Sequence, residues 1–232
     1  MYRGVIFDVD GTLYDYKAGD TVAMKNFCGY VERKLGISEE NFRKTFSEAR
    51  NIIHKQLKNT AASHSRVLMI QTVLELLGKN PFDYVLEFYD VYWDYFLENI
   101  RPYDGVTEFL AKLKNFGVKI AICTDMTAHI QYRKLSQLGL DKFIDFMVTS
   151  EETGMEKPAP IMFNTALKKM NIPAQDAAYI GDALDRDIQG AASVGIEPFW
   201  FIDNREVFGG DEFKKFRSYR ENSLQKNFFG DN

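Results

Sequence analysis

The chain opens with a short, unbroken apolar run. Residues 5–7 are Val, Ile and Phe, and Gly11 follows shortly afterwards. Continuous apolar runs of this length are typical of a strand buried on both faces, as in a parallel sheet. The run therefore predicts a first strand that ends near Asp8, followed by a turn at Gly11.

Residues 18–98 have helical periodicity and no convincing strand pattern. Gly36 and the segments 59–65 and 78–81 provide breaks. We expect four helices that form a small bundle with short loops. Apolar residues recur at spacings of three and four in four stripes: Met24, Phe27, Cys28, Val31 and Leu35; Phe42, Phe46, Ala49, Ile53 and Leu57; Val67, Ile70, Val73 and Leu77; and Phe82, Val85, Leu86, Tyr89, Trp93 and Phe96.

From Arg101 onward, strand patterns alternate with helical ones. Strands are predicted at 118–123, 146–149, 177–180 and 197–202, and helices at 106–116, 127–138, 160–170 and 185–194. Such alternation predicts right-handed crossovers and a parallel sheet with helices on both faces. The helical segment, residues 17–99, is then an insertion into an α/β domain formed by residues 1–16 and 100–232. The basic tail after Asp203 is expected to be a solvated terminal helix.

Composition narrows the class of protein. Of 232 residues, 45% are apolar and 27% are charged, and the net charge is −4. These values are typical of a globular protein and give no reason to expect nucleic-acid or membrane binding. No apolar run approaches the roughly 18 residues of a membrane span. Asp8 and Asp10 fall where a signal peptide would be apolar, and two cysteines cannot form a disulfide framework. We expect a soluble cytoplasmic protein.

Acidic and hydroxyl groups follow the predicted strands at the points where the strands end. Asp8 and Asp10 follow the first strand, Thr124 ends the second, and Asp182 follows a later one. In open parallel sheets, ligands bind beyond the carboxyl ends of the strands, so these groups are expected to share one crevice. With Asp187 the crevice would hold about four negative charges, which repel unless a cation compensates. Ligands that are all oxygens favour a hard cation such as Mg²⁺.

These residue types suit phosphoryl transfer. A carboxylate such as Asp8 can attack phosphorus and form an aspartyl-phosphate. A second carboxyl, Asp10, can protonate the leaving alkoxide and later deprotonate water. Thr124 can donate a hydrogen bond to a phosphoryl oxygen, and Lys157 adds positive charge where negative charge builds. For Asp10 to act as an acid, we expect its neighbouring carboxylates to raise its pKa.

Four segments resemble, in order, the four motifs of the haloacid dehalogenase superfamily, in its phosphatase branch with an α-helical cap between the first two motifs. The segments are Asp8-Val-Asp-Gly-Thr-Leu, Ile120-Ala-Ile-Cys-Thr-Asp, Lys157-Pro-Ala-Pro and Gly181-Asp-Ala-Leu-Asp-Arg-Asp. The resemblance implies a doubly wound, Rossmann-like α/β core with the cap at 17–99, and Mg²⁺-dependent hydrolysis of a small phosphorylated metabolite.

The resemblance also implies a role for each site residue. Asp8 would be the nucleophile and a metal ligand, and Asp10 the general acid/base, with its backbone carbonyl on the metal. Asp182 would bind Mg²⁺ directly and Asp187 would support it. The phosphoryl group would be held by Thr124, Lys157 and the backbone N–H of Asp125. Position 125 is often Asn in the family, and Ala183 replaces a residue that is often Ser, Thr or Asn.

Three other functions stay open. A phosphomutase would keep the same four motifs and mainly suppress attack by water. A haloacid dehalogenase would need neither a metal nor an acid at position 10, so Asp10 and Asp182 argue against it. A phosphoacceptor module without turnover would leave the helical insertion unexplained. His54, His64 and Arg66 are candidates to reach a substrate from the cap, and the sequence identifies neither the substrate nor the oligomeric state.

Overall fold

Six parallel strands form one sheet in the computed structural model, which describes residues 2–230. Residues 231 and 232, the end of the predicted α/β domain, lie outside that range. The strands are β1 (Gly4–Phe7), β2 (Lys119–Thr124), β3 (Phe146–Thr149), β4 (Ala177–Gly181), β5 (Glu197–Phe201) and β6 (Lys214–Phe216). Their order is β3-β2-β1-β4-β5-β6, that of a doubly wound sheet. The predicted α/β class is therefore confirmed.

Strand β1 lies at the centre of the sheet, between β2 and β4. Its apolar run alternates between the two faces. Val5 and Phe7 pack in one buried cluster, and Ile6 packs in another on the opposite side. Burial on both faces explains why the run is continuous rather than alternating. From β1 the chain adds strands first on one side, as β2 and β3, and then on the other, as β4 to β6. A crevice forms beyond the strand ends where the order reverses in this way.

The first four α-helices after β1 form the predicted helical insertion: α1 (Tyr16–Leu35), α2 (Glu39–Gln56), α3 (Arg66–Leu76) and α4 (Val85–Glu98). Asp15 caps the first of them by accepting a hydrogen bond from the backbone N–H of Ala18. Phe27 of α1 packs edge-on against Phe42 of α2 and Phe88 of α4, so the predicted apolar stripes meet in a common core. The division into a cap at 17–99 and a core around it stays a prediction.

The remaining helices follow or precede strands of the sheet: α5 (Val106–Asn115), α6 (Ala128–Gln137), α7 (Ser150–Thr153), α8 (Pro160–Met170), α9 (Gln189–Ser193) and α10 (Asn222–Phe229). The helix predicted at 185–194 starts as a π-helical turn, Leu184–Ile188, before α9. Within residues 2–230, no helix combines the length and the apolar character that a membrane crossing requires.

The tail differs from the solvated helix that the sequence suggested. It adds the edge strand β6 and then α10, whose Leu224, Phe228 and Phe229 are buried. Its basic residues are partnered: Lys215 with Asp211 at 2.7 Å, and Arg220 with Asp104 at 2.7 Å. The prediction failed because the apolar face of α10 packs against distant parts of the chain: Phe229 contacts Phe109 of α5, and Phe228 contacts Phe199 of β5. Buried Tyr219 also donates a hydrogen bond to the carbonyl of Thr12 at 3.0 Å, which braces the loop after β1.

Candidate active site

The carboxyl ends of β1, β2 and β4 open onto a cavity of about 200 Å³. Helices of the inserted segment contribute its far wall. Most of the residues singled out in the sequence lie on it, together with several that were not. The lining residues are Asp8, Asp10, Tyr16, Arg50, His64, Thr124, Asp125, Met126, Lys157, Arg186 and Asp187.

Asp8 and Lys157 form a buried ion pair at the floor of the cavity. The Nζ of Lys157 donates to Asp8 Oδ1 at 2.6 Å and to Asp187 Oδ1 at 2.7 Å. Thr12 donates to the other oxygen of Asp8 at 3.2 Å. Burial raises the pKa of Asp8 to about 8; Lys157 opposes this shift, and the Asp187 and Asp182 carboxylates add to it. The three carboxylates therefore outnumber the two cations that pair with them, Lys157 and Arg205, the second of which lies 2.9 Å from Asp182.

A cation would relieve this repulsion, and the donor atoms suit one. One carboxylate oxygen from each of Asp8, Asp182 and Asp187 lies within 4.8 Å of the other two. All three donors are carboxylate oxygens, which fits Mg²⁺ rather than a soft metal. Gly11 leaves room for the Asp182 carboxylate, because a Cβ at position 11 would lie 2.7 Å from Asp182 Oδ2. The Asp10 side chain is not among these three groups, and the contact of its backbone carbonyl with a metal stays a prediction.

Asp187 is held in place from several sides. Lys157 and the hydroxyl of Tyr179, at 3.0 Å, donate to its Oδ1. The backbone N–H groups of Asp182 and Ala183 donate to its Oδ2 at 3.2 and 3.0 Å. Although Ala183 has no side-chain hydroxyl, its backbone N–H therefore still contacts the acidic cluster through Asp187. A carboxylate fixed by four donors is well placed to orient the neighbouring acids.

The close approach of β4 to Asp187 yields a stability prediction. A methyl group on Gly181 would lie 2.5 Å from the Cβ of Asp187, a distance at which one of them must move. Because Asp187 is buried and fully bonded, Gly181→Ala is expected to cost about 2 kcal/mol of unfolding free energy. Urea denaturation measures the loss, with Gly29→Ala as the control, because Gly29 has a helical backbone and a Cβ there would make only an ordinary contact, 3.5 Å from Arg33. Equal stability of Gly181→Ala and the wild type would contradict this prediction.

Asp10 has a different set of partners from Asp8. Buried Lys134 donates to both of its oxygens at 2.8 Å, Tyr14 donates to Oδ1, and Gln131 donates to Oδ2 at 3.3 Å. Burial alone would raise the pKa of Asp10, but Lys134 and the hydrogen bonds outweigh it and lower the pKa. The predicted raised pKa is therefore wrong, because a buried lysine, and not another carboxylate, is the nearest charge.

Thr124 and Asp125 are fixed by the helix after β2 and by the Lys157 segment. Gln131 donates to Thr124 Oγ1 at 2.7 Å, which leaves the Thr124 hydroxyl proton available to another acceptor. The side chain of Asp125 accepts from the backbone N–H of Lys157 at 2.8 Å. Asp125 Oδ1 therefore joins the end of β2 to the segment before α8, whereas Oδ2 lies 3.5 Å from Arg186 and has no hydrogen-bond partner among residues 2–230.

Several polar contacts at the site were missed in the sequence. Gln131 and Lys134 are three residues apart on α6, directly after β2, so one helix face turns both toward Asp10. Their spacing was a usable signal. Arg205, which donates to Asp182 Oδ2 at 2.9 Å, comes from an irregular loop and had no such signal.

The candidates from the inserted helices have distinct surroundings. His64 lines the cavity and contacts Glu156 at 2.9 Å. Arg66 is buried and pairs with Asp20 at 2.9 Å, so its charge is compensated among the helices. His54 is packed beside His64 and does not line the main cavity; its Nε2 is buried without a hydrogen-bond partner among residues 2–230.

The sequence is similar to those of known proteins over most of its length. The family model described as haloacid dehalogenase-like hydrolase matches residues 2–195. The chain is 37% identical to the ribulose-1,5-bisphosphate 5-phosphatase of Halopiger xanaduensis, over 89% of this chain and 87% of that protein. It is 29% identical to the glyceraldehyde 3-phosphate phosphatase of Methanocaldococcus jannaschii, over 97% and 95% of the two chains.

The structure was compared with solved structures. A HAD phosphatase from Thermococcus onnurineus superposes with a TM-score of 0.74 at 23% identity, with 99% of each chain covered. A 2-haloacid dehalogenase from Pseudomonas syringae gives 0.75 at 21% identity, with 98% of this chain and 97% of that one covered. At these identities, the likeness shows a shared fold and does not separate the two chemistries.

Proposed function

The chain belongs to the haloacid dehalogenase-like hydrolases, and from that premise we propose that it is a Mg²⁺-dependent phosphatase in which Asp8 is the nucleophile. It hydrolyses phosphate monoesters of small metabolites, as the names of its relatives indicate. The observation that carries the proposed mechanism is the group of Asp8, Asp182 and Asp187 oxygens within 4.8 Å of one another, beside Lys157.

Cavity size supports a small substrate. Pockets for drug-sized ligands are roughly 300–1,000 Å³, whereas the cavity over Asp8 is about 200 Å³. Two relatives act, by name, on ribulose-1,5-bisphosphate and glyceraldehyde 3-phosphate. We propose a sugar phosphate of about that size.

In the first half of the reaction, a carboxylate oxygen of Asp8 attacks phosphorus and the bond to the leaving oxygen breaks. Asp10 supplies the proton that the leaving alkoxide needs. The charge of a bound phosphoryl group raises the pKa of Asp10 against the effect of Lys134, which favours protonation at this stage. Thr124 and Lys157 hold phosphoryl oxygens. Asp8 and Asp182, oriented by Asp187, would hold the Mg²⁺, which would supply charge neutralisation for the phosphoryl oxygens.

In the second half, water breaks the aspartyl-phosphate. Asp10 takes a proton from the water, whose oxygen bonds to phosphorus as the bond to Asp8 breaks. The contacts that Lys134, Tyr14 and Gln131 make with Asp10 favour its ionised form, which this step needs. Phosphate then leaves and Asp8 is regenerated.

We propose that the inserted helices act as the cap. Arg50 and His64 come from that segment, Tyr16 directly precedes it at the start of α1, and all three face the residues that hold the phosphoryl group. Such a wall excludes bulk water and selects the leaving group. His64 and Ser63 reach Glu156, next to Lys157, at 2.9 and 3.2 Å, and so link the cap to the core.

The metal requirement is the first test of this function. Hydrolysis of p-nitrophenyl phosphate is expected to fall at least about a hundredfold in EDTA and to return on addition of Mg²⁺, because three acidic groups cannot bind a phosphoryl group without charge compensation. Mg²⁺ at about 100 times its Kd should also stabilise the fold by roughly 2.7 kcal/mol, or several degrees in Tm.

The matched variants are Asp182→Asn and Asp185→Asn. Asp182 belongs to the acidic cluster, whereas Asp185 is exposed on the same loop and outside it. The Tm shift with Mg²⁺ should be lost in Asp182→Asn and kept in Asp185→Asn. Full hydrolysis in EDTA would refute the metal-dependent mechanism. Product analysis on a sugar phosphate distinguishes a phosphatase, which releases phosphate, from a mutase, which yields an isomer.

A further inference from the structure

Arg50 is a cation without a partner on the wall that faces Asp8. It lies on α2 and lines the main cavity. Its side chain forms no hydrogen bond or ion pair with any of residues 2–230. The other cations on the cavity are engaged: Lys157 with Asp8, His64 with Glu156, and Arg186 with Asp125 at 3.5 Å. Of the two guanidinium groups that line the cavity, the exposed one of Arg50 is therefore the one without an ion pair among residues 2–230.

The position of Arg50 puts it between the reacting groups and the helical bundle. It also lines two smaller cavities among the helices, of about 160 and 30 Å³. Arg66 lines both, but its charge is compensated by Asp20. The positive charge of Arg50 also acts on His54, one helical turn away on α2. Burial lowers the pKa of His54, and Arg50 lowers it further. An anionic group of the substrate, in addition to the phosphoryl group at Asp8, would neutralise the charge of Arg50.

We propose that Arg50 binds a second anionic group, a phosphate or a carboxylate, on the leaving-group end of the substrate. The inference rests on the proposed phosphatase function and narrows its substrate class to small metabolites with an anion at each end. A guanidinium pairs with either anion through two parallel hydrogen bonds, and the contact strengthens in a partly enclosed site. One phosphoryl group would lie at Asp8 and Lys157, and the second anion at Arg50, across a cavity of about 200 Å³.

Matched substrate pairs test this inference. Ribulose 5-phosphate and ribulose 1,5-bisphosphate differ by a phosphate, and glycerol 3-phosphate and 3-phosphoglycerate differ by a carboxylate. In at least one pair, the wild type should have the higher kcat/KM for the doubly anionic member. The pair with the larger ratio identifies the preferred anion.

Substitution of Arg50 should then remove the preference. In Arg50→Gln, the ratio within the preferred pair should fall about 10- to 100-fold, the range for a hydrogen bond to a charged group, mainly through KM. Arg50→Lys should recover part of the ratio. Lys55→Gln is the control, since it removes one positive charge from another face of α2 and should leave the ratio unchanged.

Two outcomes would overturn the inference, and they are distinguishable. Equal kcat/KM within both pairs, or an unchanged ratio in Arg50→Gln, alongside hydrolysis of p-nitrophenyl phosphate, would overturn the role of Arg50 alone. Absence of turnover on every ester, including p-nitrophenyl phosphate, would overturn the proposed function and the inference together.

Discussion

Asp8→Asn is expected to lower Mg²⁺-dependent phosphate release by at least about a thousandfold, because an amide cannot form the bond to phosphorus that a carboxylate forms. Asp8 and Asp187 of the acidic cluster both contact Lys157, the group expected to hold the phosphoryl oxygens, but Asp187 is held by four donors and Asp8 by two. Steady-state release of phosphate from p-nitrophenyl phosphate measures the effect. The amide has nearly the same shape, so far-UV circular dichroism should match that of the wild type.

The control is again Asp185→Asn, the same chemical change at an exposed position outside the cavity. It should keep nearly full activity. If Asp8→Asn retained more than a tenth of the wild-type rate in Mg²⁺, another group would have to be the nucleophile. A phosphoacceptor module without turnover would show no activity to lose, and that result would favour the alternative that the sequence left open.

Lys134→Met is expected to destabilise the protein by about 3 kcal/mol, because loss of one member of a buried ion pair leaves the other charge uncompensated. The side chain of Lys134 is fully buried and that of Asp10 is 23% exposed, which places the expected loss at the lower end of the range for buried pairs. The ammonium also lies 5.4–5.6 Å from the rings of Tyr16, Trp93 and Phe96. Urea denaturation in EDTA measures the loss.

A double variant isolates the charge effect from packing. In Asp10→Asn/Lys134→Met, no buried charge is left alone, and the new amide can still meet Tyr14 and Gln131. The unfolding free energy of the double variant should lie closer to the wild-type value than that of Lys134→Met does. The reason is that replacing both partners by neutral residues costs little stability. If the double variant loses the sum of the two single losses, Lys134 acts through packing and not through its charge on Asp10.

Local sequence was sufficient for strands β1 to β5, though not for β6 in the tail, and for the juxtaposition of the acidic groups. An apolar run that ends in Asp8 or Asp182 identifies both a buried strand and what stands at its end. Parallel strands bring their carboxyl ends to one edge, so topology alone places Asp8, Thr124 and Asp182 together. The helical insertion was equally readable, because its stripes extend over several turns and no strand pattern competes with them.

Contacts that depend on the rotation of a helix or on the course of a loop were harder to predict from the sequence. Lys134 reaches Asp10 across 124 positions, and its charge reverses the expected direction of the pKa of Asp10. Arg205 reaches Asp182 from a loop without a periodic pattern. In both cases the sequence shows a charged residue but not the surface that it faces.

By itself, the sequence determined the α/β class, the order of the strand-end groups and the presence of an inserted helical segment, since these follow from periodicity and from the geometry of parallel sheets. Only the tertiary structure decided which charge meets which. It paired Asp10 with Lys134, turned the Asp125 carboxylate toward the Lys157 backbone, and left Arg50 open to the cavity. The reason is that side-chain pairing across distant segments depends on how helices and loops pack over the sheet, and no local pattern encodes it.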